Sequence, residues 1–185
     1  MINKIILFIL IISFINIFLF FVVPDSSIFT LNIKNLLAEP WRIFTFQFFH
    51  VSLIHLIENV IGFVFVAFFA MEFYIDFKDF LIVYFLSVFI VITPMIFLFP
   101  DISVAGNSTG IYGILALSLI KGRKLISEKI TIPLTLVFIF SLSAINFISC
   151  GICYEKFFKS EFLHFVGFIS GMIISFMPPK ASSIP

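Results

Sequence analysis

Ser108, His164, His55, His50 and Asn59 are the residues of this chain whose types and spacing suit joint chemistry. A serine hydroxyl attacks a carbonyl when a neighbouring base takes its proton, and a neutral imidazole is the commonest such base. An amide or imidazole N–H aimed at the same carbonyl holds the oxyanion that forms. All five lie in or at the edge of long apolar runs, where each ionisable side chain is costly and marks a functional site by default. Asn59 follows His55 by one helical turn and shares its face. Ser108 comes directly after Gly106-Asn107. A buried nucleophilic site is the chemistry these types suggest.

The elements that must position them follow from composition. Of 185 residues, 62% are hydrophobic and 11% charged. A soluble domain averages about half apolar and about a quarter charged, so a water-soluble domain and a disordered chain are excluded. A net charge of +1 gives no basic footprint for nucleic acid. The 30 phenylalanines are consistent with a coding bias and carry no functional reading. A single multi-pass membrane domain over residues 1–185 remains, because every connection is too short for a second domain and no internal repeat is visible.

Apolar runs of near twenty residues fall at 5–23, 48–71, 80–99, 107–120, 131–149 and 161–177. The first follows Lys4 as a signal peptide would, but no small-residue cleavage site comes after it, so it reads as a retained span. The third carries Pro94, whose ring and missing N–H predict a bend. Six spans put both termini on one side, with Lys4, Lys78, Lys121, Arg123, Lys124, Lys129 and Lys180. Lys34, Arg42, Lys156 and Lys159 fall opposite. The positive-inside rule then places both ends in the cytoplasm. Asn59 stands 13 residues before Glu72, Ser108 13 before Lys121, and His164 14 before Pro178. Each separation is about 20 Å of helix, which predicts one level about 10 Å below the outer surface of a core about 30 Å thick, with His55 a turn higher. The fourth run, about 14 residues, is too short to cross. The preceding 100–106 segment is therefore expected to dip into the membrane and leave Ser108 at a helix N-terminus, where free N–H groups support an oxyanion.

At this point four stretches resemble the rhomboid family of intramembrane serine proteases. Trp41-Arg42, with Thr45, is similar to its Trp-Arg element on the first outer loop. His50, His55 and Asn59 match its His-x4-His-x3-Asn motif. Gly106-Asn107-Ser108, followed by Gly110, Tyr112 and Gly113, resembles its nucleophile motif. His164, Gly167 and Gly171 match its His-x2-Gly-x3-Gly motif. All three histidines of the chain are used. The resemblance implies an all-α membrane protein, a six-transmembrane-helix bundle with a short fourth helix after a re-entrant loop. It implies a Ser–His dyad without an acid member, with Ser108 as nucleophile and His164 as base. Asn59, His55 and the Ser108 N–H would form the oxyanion hole. Tyr112 would pack on the His164 ring, and Gly110, Gly113, Gly167 and Gly171 would let the fourth and sixth helices approach closely. Substrates would be transmembrane segments of membrane proteins, reached from the outer side of the cell membrane. No cofactor, metal or nucleic acid is implied; the lipid bilayer is the other partner.

Two positions depart from the family pattern. Thr109 stands where glycine usually follows the serine, and its side chain either crowds the dyad or turns its hydroxyl harmlessly into the cavity. Glu58 replaces an apolar residue beside Asn59, three residues from His55, a spacing that permits an ion pair. Bland readings stand beside the sharp ones. His50 is equally suited to structural bonding with the re-entrant loop and to a catalytic part. Trp41 and Arg42 read as structural or interfacial anchors, and Glu72 as a cap at a cytoplasmic junction. Cys150 and Cys153 read as two ordinary thiols, with a local disulfide as the other option; one such pair is half a zinc site. Against the endopeptidase stands a catalytically inactive relative that binds membrane proteins and assists their folding or degradation. A transporter is weaker, since inverted repeats and paired broken helices are absent.

Overall fold

The computed structural model describes residues 2–123, 125 and 127–176. Lys124, Lys180 and the Met177-Pro178-Pro179 end assigned to the sixth span lie outside the described residues. The main helices are α1 (Ile2–Val22), the short α2 (Arg42–Thr45), α3 (Leu53–Glu72), α4 (Phe77–Phe89), α5 (Ile92–Phe97), α6 (Ser108–Gly122), α7 (Glu128–Ser149) and α8 (Tyr154–Ser175). Among the described residues, five stretches are helical, long and apolar enough to cross a membrane: α1, α3, α4 with α5, most of α7, and α8. At 15 residues α6 is shorter, about 22 Å of helix.

Several boundaries differ from the sequence expectation. The second apolar run becomes helical only at Leu53, because Ser52 adopts an extended backbone and its hydroxyl accepts from the His55 N–H at 3.2 Å, a helix N-cap. Phe46–Phe48 is a separate 3-10 turn, so His50 precedes the helix instead of riding on it. The third run begins at Phe77 behind the cap Asp76 and breaks at Ile90-Val91. That break lies one turn ahead of Pro94, where the proline ring meets the carbonyl four residues back. The sixth run starts at Tyr154, seven residues early, and takes the expected loop residues Glu155, Lys156 and Lys159 into its first turns. A Glu155–Lys159 ion pair at 2.5 Å, one turn apart, supports that extension. A small antiparallel pairing also appears in the otherwise helical fold: β1 (Leu31–Asn32) against β2 (Ser103–Val104).

At the centre of the bundle, α6 is buried at every position from Thr109 to Ser118. It packs most extensively on α8, then on α4 and α3. An apolar helix with no polar face is what such a position requires. On α1, by contrast, Ile5, Ile9 and Ile12 are buried while Leu7, Leu10, Phe14 and Phe21 are exposed. Both faces are apolar because one meets protein and the other is suited to lipid. Phe8 of α1 packs edge-on against Phe63 of α3 and against Phe80 and Tyr84 of α4, at ring distances of 6.1, 6.0 and 5.4 Å. The phenylalanines here are packing material.

Candidate active site

The site is built where the segment before α6 is pinned to the start of α3. Gly106 has φ +97°, a left-handed conformation that favours glycine, and its N–H donates to the Phe46 carbonyl at 2.9 Å. A Cβ there would lie 3.0 Å from His55 Cε1 and 3.6 Å from His50 Nε2. The glycine backbone thus rests directly on the two imidazoles, whose ring centres are 5.2 Å apart. Asn107, fully buried, donates to the Tyr84 hydroxyl at 3.3 Å, and that hydroxyl donates to Gln47 Oε1 at 3.2 Å. This chain of side chains from three segments fixes the residue that opens α6. Sequence reasoning missed Tyr84 and Gln47, since no local spacing links positions 47, 84 and 107.

Ser108 follows as the first residue of α6, and its Oγ lies 2.8 Å from His164 Nε2 of α8. That approach needs two helix backbones nearly in contact. At Gly167 a Cβ would fall 2.5 Å from the Thr109 carbonyl oxygen, and at Gly171 it would overlap the Gly113 carbonyl. Gly110, expected at the same seam, instead faces Tyr84 and Val88 of α4, where a Cβ would lie 2.7 Å from Tyr84; successive turns of α6 serve two neighbours. Gly113 presents its Cβ direction to Ser87 of α4 and its carbonyl to Gly171. The Ser108–His164 contact forms with Thr109 in place, and Thr109 lines the adjacent cleft. Tyr112 stacks on the His164 ring, centres 4.6 Å apart and planes 9° off parallel.

Beside the pair opens a cleft of about 580 Å³, lined by His55, Gly106, Ser108, Thr109 and His164 and rimmed by Asp101, Lys156 and Lys159. Asn59 is not in that lining. It is buried, and its side-chain amide donates to the His55 carbonyl of its own helix at 2.8 Å. His50 touches the segment before α6 by packing on Gly106. No ion pair joins Glu58 to His55, although the spacing permits one; Glu58 is buried beside Leu142, Ile145 and Ser149 of α7. The acid near an imidazole is Glu161, whose Oε1 lies 3.4 Å from His164 Nδ1. Its spacing, three residues before His164 on one helix, was a readable signal that sequence reasoning passed over.

The connection between α1 and α3 is anchored by Arg42. It is buried, ion-paired with Glu39, and donates to the Ser27 and Thr30 carbonyls at 2.6 and 2.7 Å. Thr45 donates to the Phe29 carbonyl at 3.0 Å, and the indole of exposed Trp41 reaches the Ile28 carbonyl. The loop is joined to the pre-α6 segment by the β1–β2 pairing and by a Lys34–Asp101 ion pair at 2.7 Å. Cys150 and Cys153 are free thiols at the cleft edge. Partial burial, with the Glu58 and Glu161 carboxylates nearby, pushes the Cys150 thiol above its ordinary range.

Comparisons with curated proteins and with solved structures return no match. The family model described as Rhomboid domain matches residues 37–180, which takes in all four motif stretches and most of the chain. The chain belongs to the rhomboid family, and its apolar helices make it a multi-pass membrane protein.

Proposed function

We propose that the protein is an intramembrane serine endopeptidase that cleaves peptide bonds in or near transmembrane segments of membrane-protein substrates. The observation that carries this is the 2.8 Å contact between Ser108 Oγ and His164 Nε2 at the wall of an open cleft. Ser108 attacks the substrate carbonyl as His164 takes the hydroxyl proton. The resulting tetrahedral oxyanion is met by the Ser108 N–H and by His55, with Asn59 supporting His55 from outside the cleft through its carbonyl. His164 then protonates the leaving amine, and water entering the cleft hydrolyses the acyl-enzyme. Gly106 and His50 shape the floor under His55, and Tyr112 orients the His164 ring.

In the same proposal the chain crosses the bilayer six times, α6 included, with a re-entrant segment before it, both termini cytoplasmic and the cleft open to the outer side. Two features support that arrangement. The irregular backbone before α6 is covered by protein, through the Phe46 carbonyl and β1, as non-helical backbone at membrane depth must be. Lys121, at the opposite end of α6 from Ser108, begins the most basic connection. One observation favours the inactive alternative: the Asn59 amide is bonded to its own helix and lies outside the cleft.

The test is cleavage of a single-span substrate by purified protein in liposomes, comparing wild type with Ser108→Ala and His164→Ala. Wild-type cleavage that falls more than about 10³-fold in both variants, with Ser108 labelled by a serine-reactive phosphonate, is the expected result. Cleavage that survives Ser108→Ala overturns the mechanism. Absence of both cleavage and labelling in wild type identifies the inactive relative.

A further inference from the structure

The Glu161 carboxylate is held in a defined place by a neighbouring helix. Asn146 Nδ2 of α7 donates to Oε1 at 2.7 Å, and Ser143 Oγ of α7 donates to Oε2 at 2.9 Å. Asn146 is itself buried and tied to Ser160 at 3.2 Å. With both oxygens accepting from α7, Oε1 also lies 3.4 Å from His164 Nδ1. On the other side of that ring, Nε2 faces the Ser108 hydroxyl at 2.8 Å. A neutral imidazole carries one proton. If it sits on Nδ1, facing the carboxylate, Nε2 is left with the lone pair that must receive the serine proton. A carboxylate at Nδ1 selects that tautomer and lies beside the imidazolium once the proton has moved.

We propose that Glu161 is the positioning residue of His164, fixing the ring tautomer and stabilising its charged form, and that Ser143 and Asn146 of α7 aim it. This rests on the reading of Ser108 and His164 as nucleophile and base, and it replaces the acid-free dyad implied by the resemblance with a Glu161–His164–Ser108 relay of orientation. Glu161 touches neither substrate nor reacting atoms. The proton in each step moves only between Ser108, His164 and the leaving amine.

The experiment follows phosphonate labelling of Ser108 in the purified full chain over time. The plateau counts folded sites, and the rate constant reports the nucleophile. Glu161→Gln keeps the size and one acceptor oxygen but removes the charge. It is expected to label to the wild-type plateau with a rate constant lower by about 10- to 100-fold. That is less than the ~10⁴-fold loss seen for a closely bonded acid, because the contact here is longer. For substrate cleavage kcat falls by the same factor with KM unchanged, and Glu161→Asp recovers part of the rate. Asn146→Ala slows labelling in the wild-type background and adds no further loss to Glu161→Gln. A wild-type rate constant in Glu161→Gln overturns the inference while Ser108→Ala, which takes no label, leaves the nucleophile assignment standing. A lowered plateau with an unchanged rate constant assigns Glu161 to folding alone and also overturns it. Failure of wild type to label overturns both readings together.

Discussion

Two of the helices around α8 meet it in unlike ways. Against α6 it is joined backbone to backbone, with Gly167 on the Thr109 carbonyl and Gly171 on the Gly113 carbonyl, and with the Tyr112 ring stacked on His164. Against α7 it is joined through side chains, Ser143 and Asn146 on Glu161 and Phe147 against Tyr154 and Phe157, while Val137 and Phe140 of α7 stay exposed. Lipid chains are as apolar as leucine, so helices in a bilayer gain little from apolar contact itself and rely on close packing and hydrogen bonds. The α6 seam uses close backbone packing, and the α7 border uses side-chain hydrogen bonds to Glu161 with ring contacts at Phe147. The distance between nucleophile and base is therefore set by main chain and resists perturbation. The orientation of the base is set by side chains that a shift of α7 would move.

The seam is where a single substitution does most damage. Gly171→Leu forces a branched side chain into the Gly113 carbonyl, which no rotamer avoids because the clash begins at Cβ. Overpacking a well-filled core costs about 1–3 kcal/mol when side chains can yield, and more where main chain must move. The expected outcome is loss of more than about 3 kcal/mol, read as a collapsed melting temperature in detergent and loss of Ser108 labelling sites. A variant that melts like wild type would show that the two helices are not in contact there.

How far this arrangement was legible in the sequence depended on whether the signal was local. Ser108 at a helix start, Tyr112 one turn on and the His164-Gly167-Gly171 spacing lie within single helices, and the structure brings Ser108, Tyr112 and His164 together. Apolar runs located the helices but not their ends, which are decided by caps such as Ser52 and Asp76 and by the helical ion pair at Glu155 and Lys159. On α1 both sides carry apolar residues, and the inward face was marked only by Ser13 and Asn16, both buried. Two glutamates stand three residues from a histidine, Glu58 from His55 and Glu161 from His164, and spacing alone does not separate them. Their neighbours do: the Glu161 carboxylate accepts from Ser143 and Asn146 of α7 and lies 3.4 Å from His164 Nδ1, whereas Glu58 is buried beside Leu142, Ile145 and Ser149 of α7.

A smaller effect is expected one step away from the seam, at the polar chain that sets the start of α6. Tyr84→Phe removes the hydroxyl that receives the Asn107 amide and donates to Gln47, leaving two buried groups without it. A buried polar group left unpaired costs about 1–3 kcal/mol. The ring itself still fills the space against Phe63 and Phe8. Thermal melting should therefore fall by that amount, with the phosphonate labelling rate reduced because Asn107 no longer holds Ser108 in register. If labelling is unchanged while stability drops, the chain serves folding and the position of Ser108 is fixed by Gly106 alone.

The packing of α7 on α3 should be the most forgiving of the three. Leu142 is the largest buried apolar side chain that α7 turns inward, its Cδ atoms 3.8 Å from the Cβ position of Gly62 on α3. In a water-soluble core, Leu→Ala costs about 2–5 kcal/mol, part of it transfer from water and part the cavity left behind. In a bilayer the transfer part largely disappears, because the same side chain on a separated helix would lie in lipid. Leu142→Ala should therefore cost about 1 kcal/mol, the packing remainder, measured by melting in lipid rather than in a detergent that wets the helix. Its effect on catalysis is the sharper reading. If α7 reaches the site only through the Glu161 carboxylate, loosening α7 at Leu142 slows Ser108 labelling in wild type and leaves Glu161→Gln unaffected. Equal slowing in both backgrounds would mean that α7 acts on the cleft by another route.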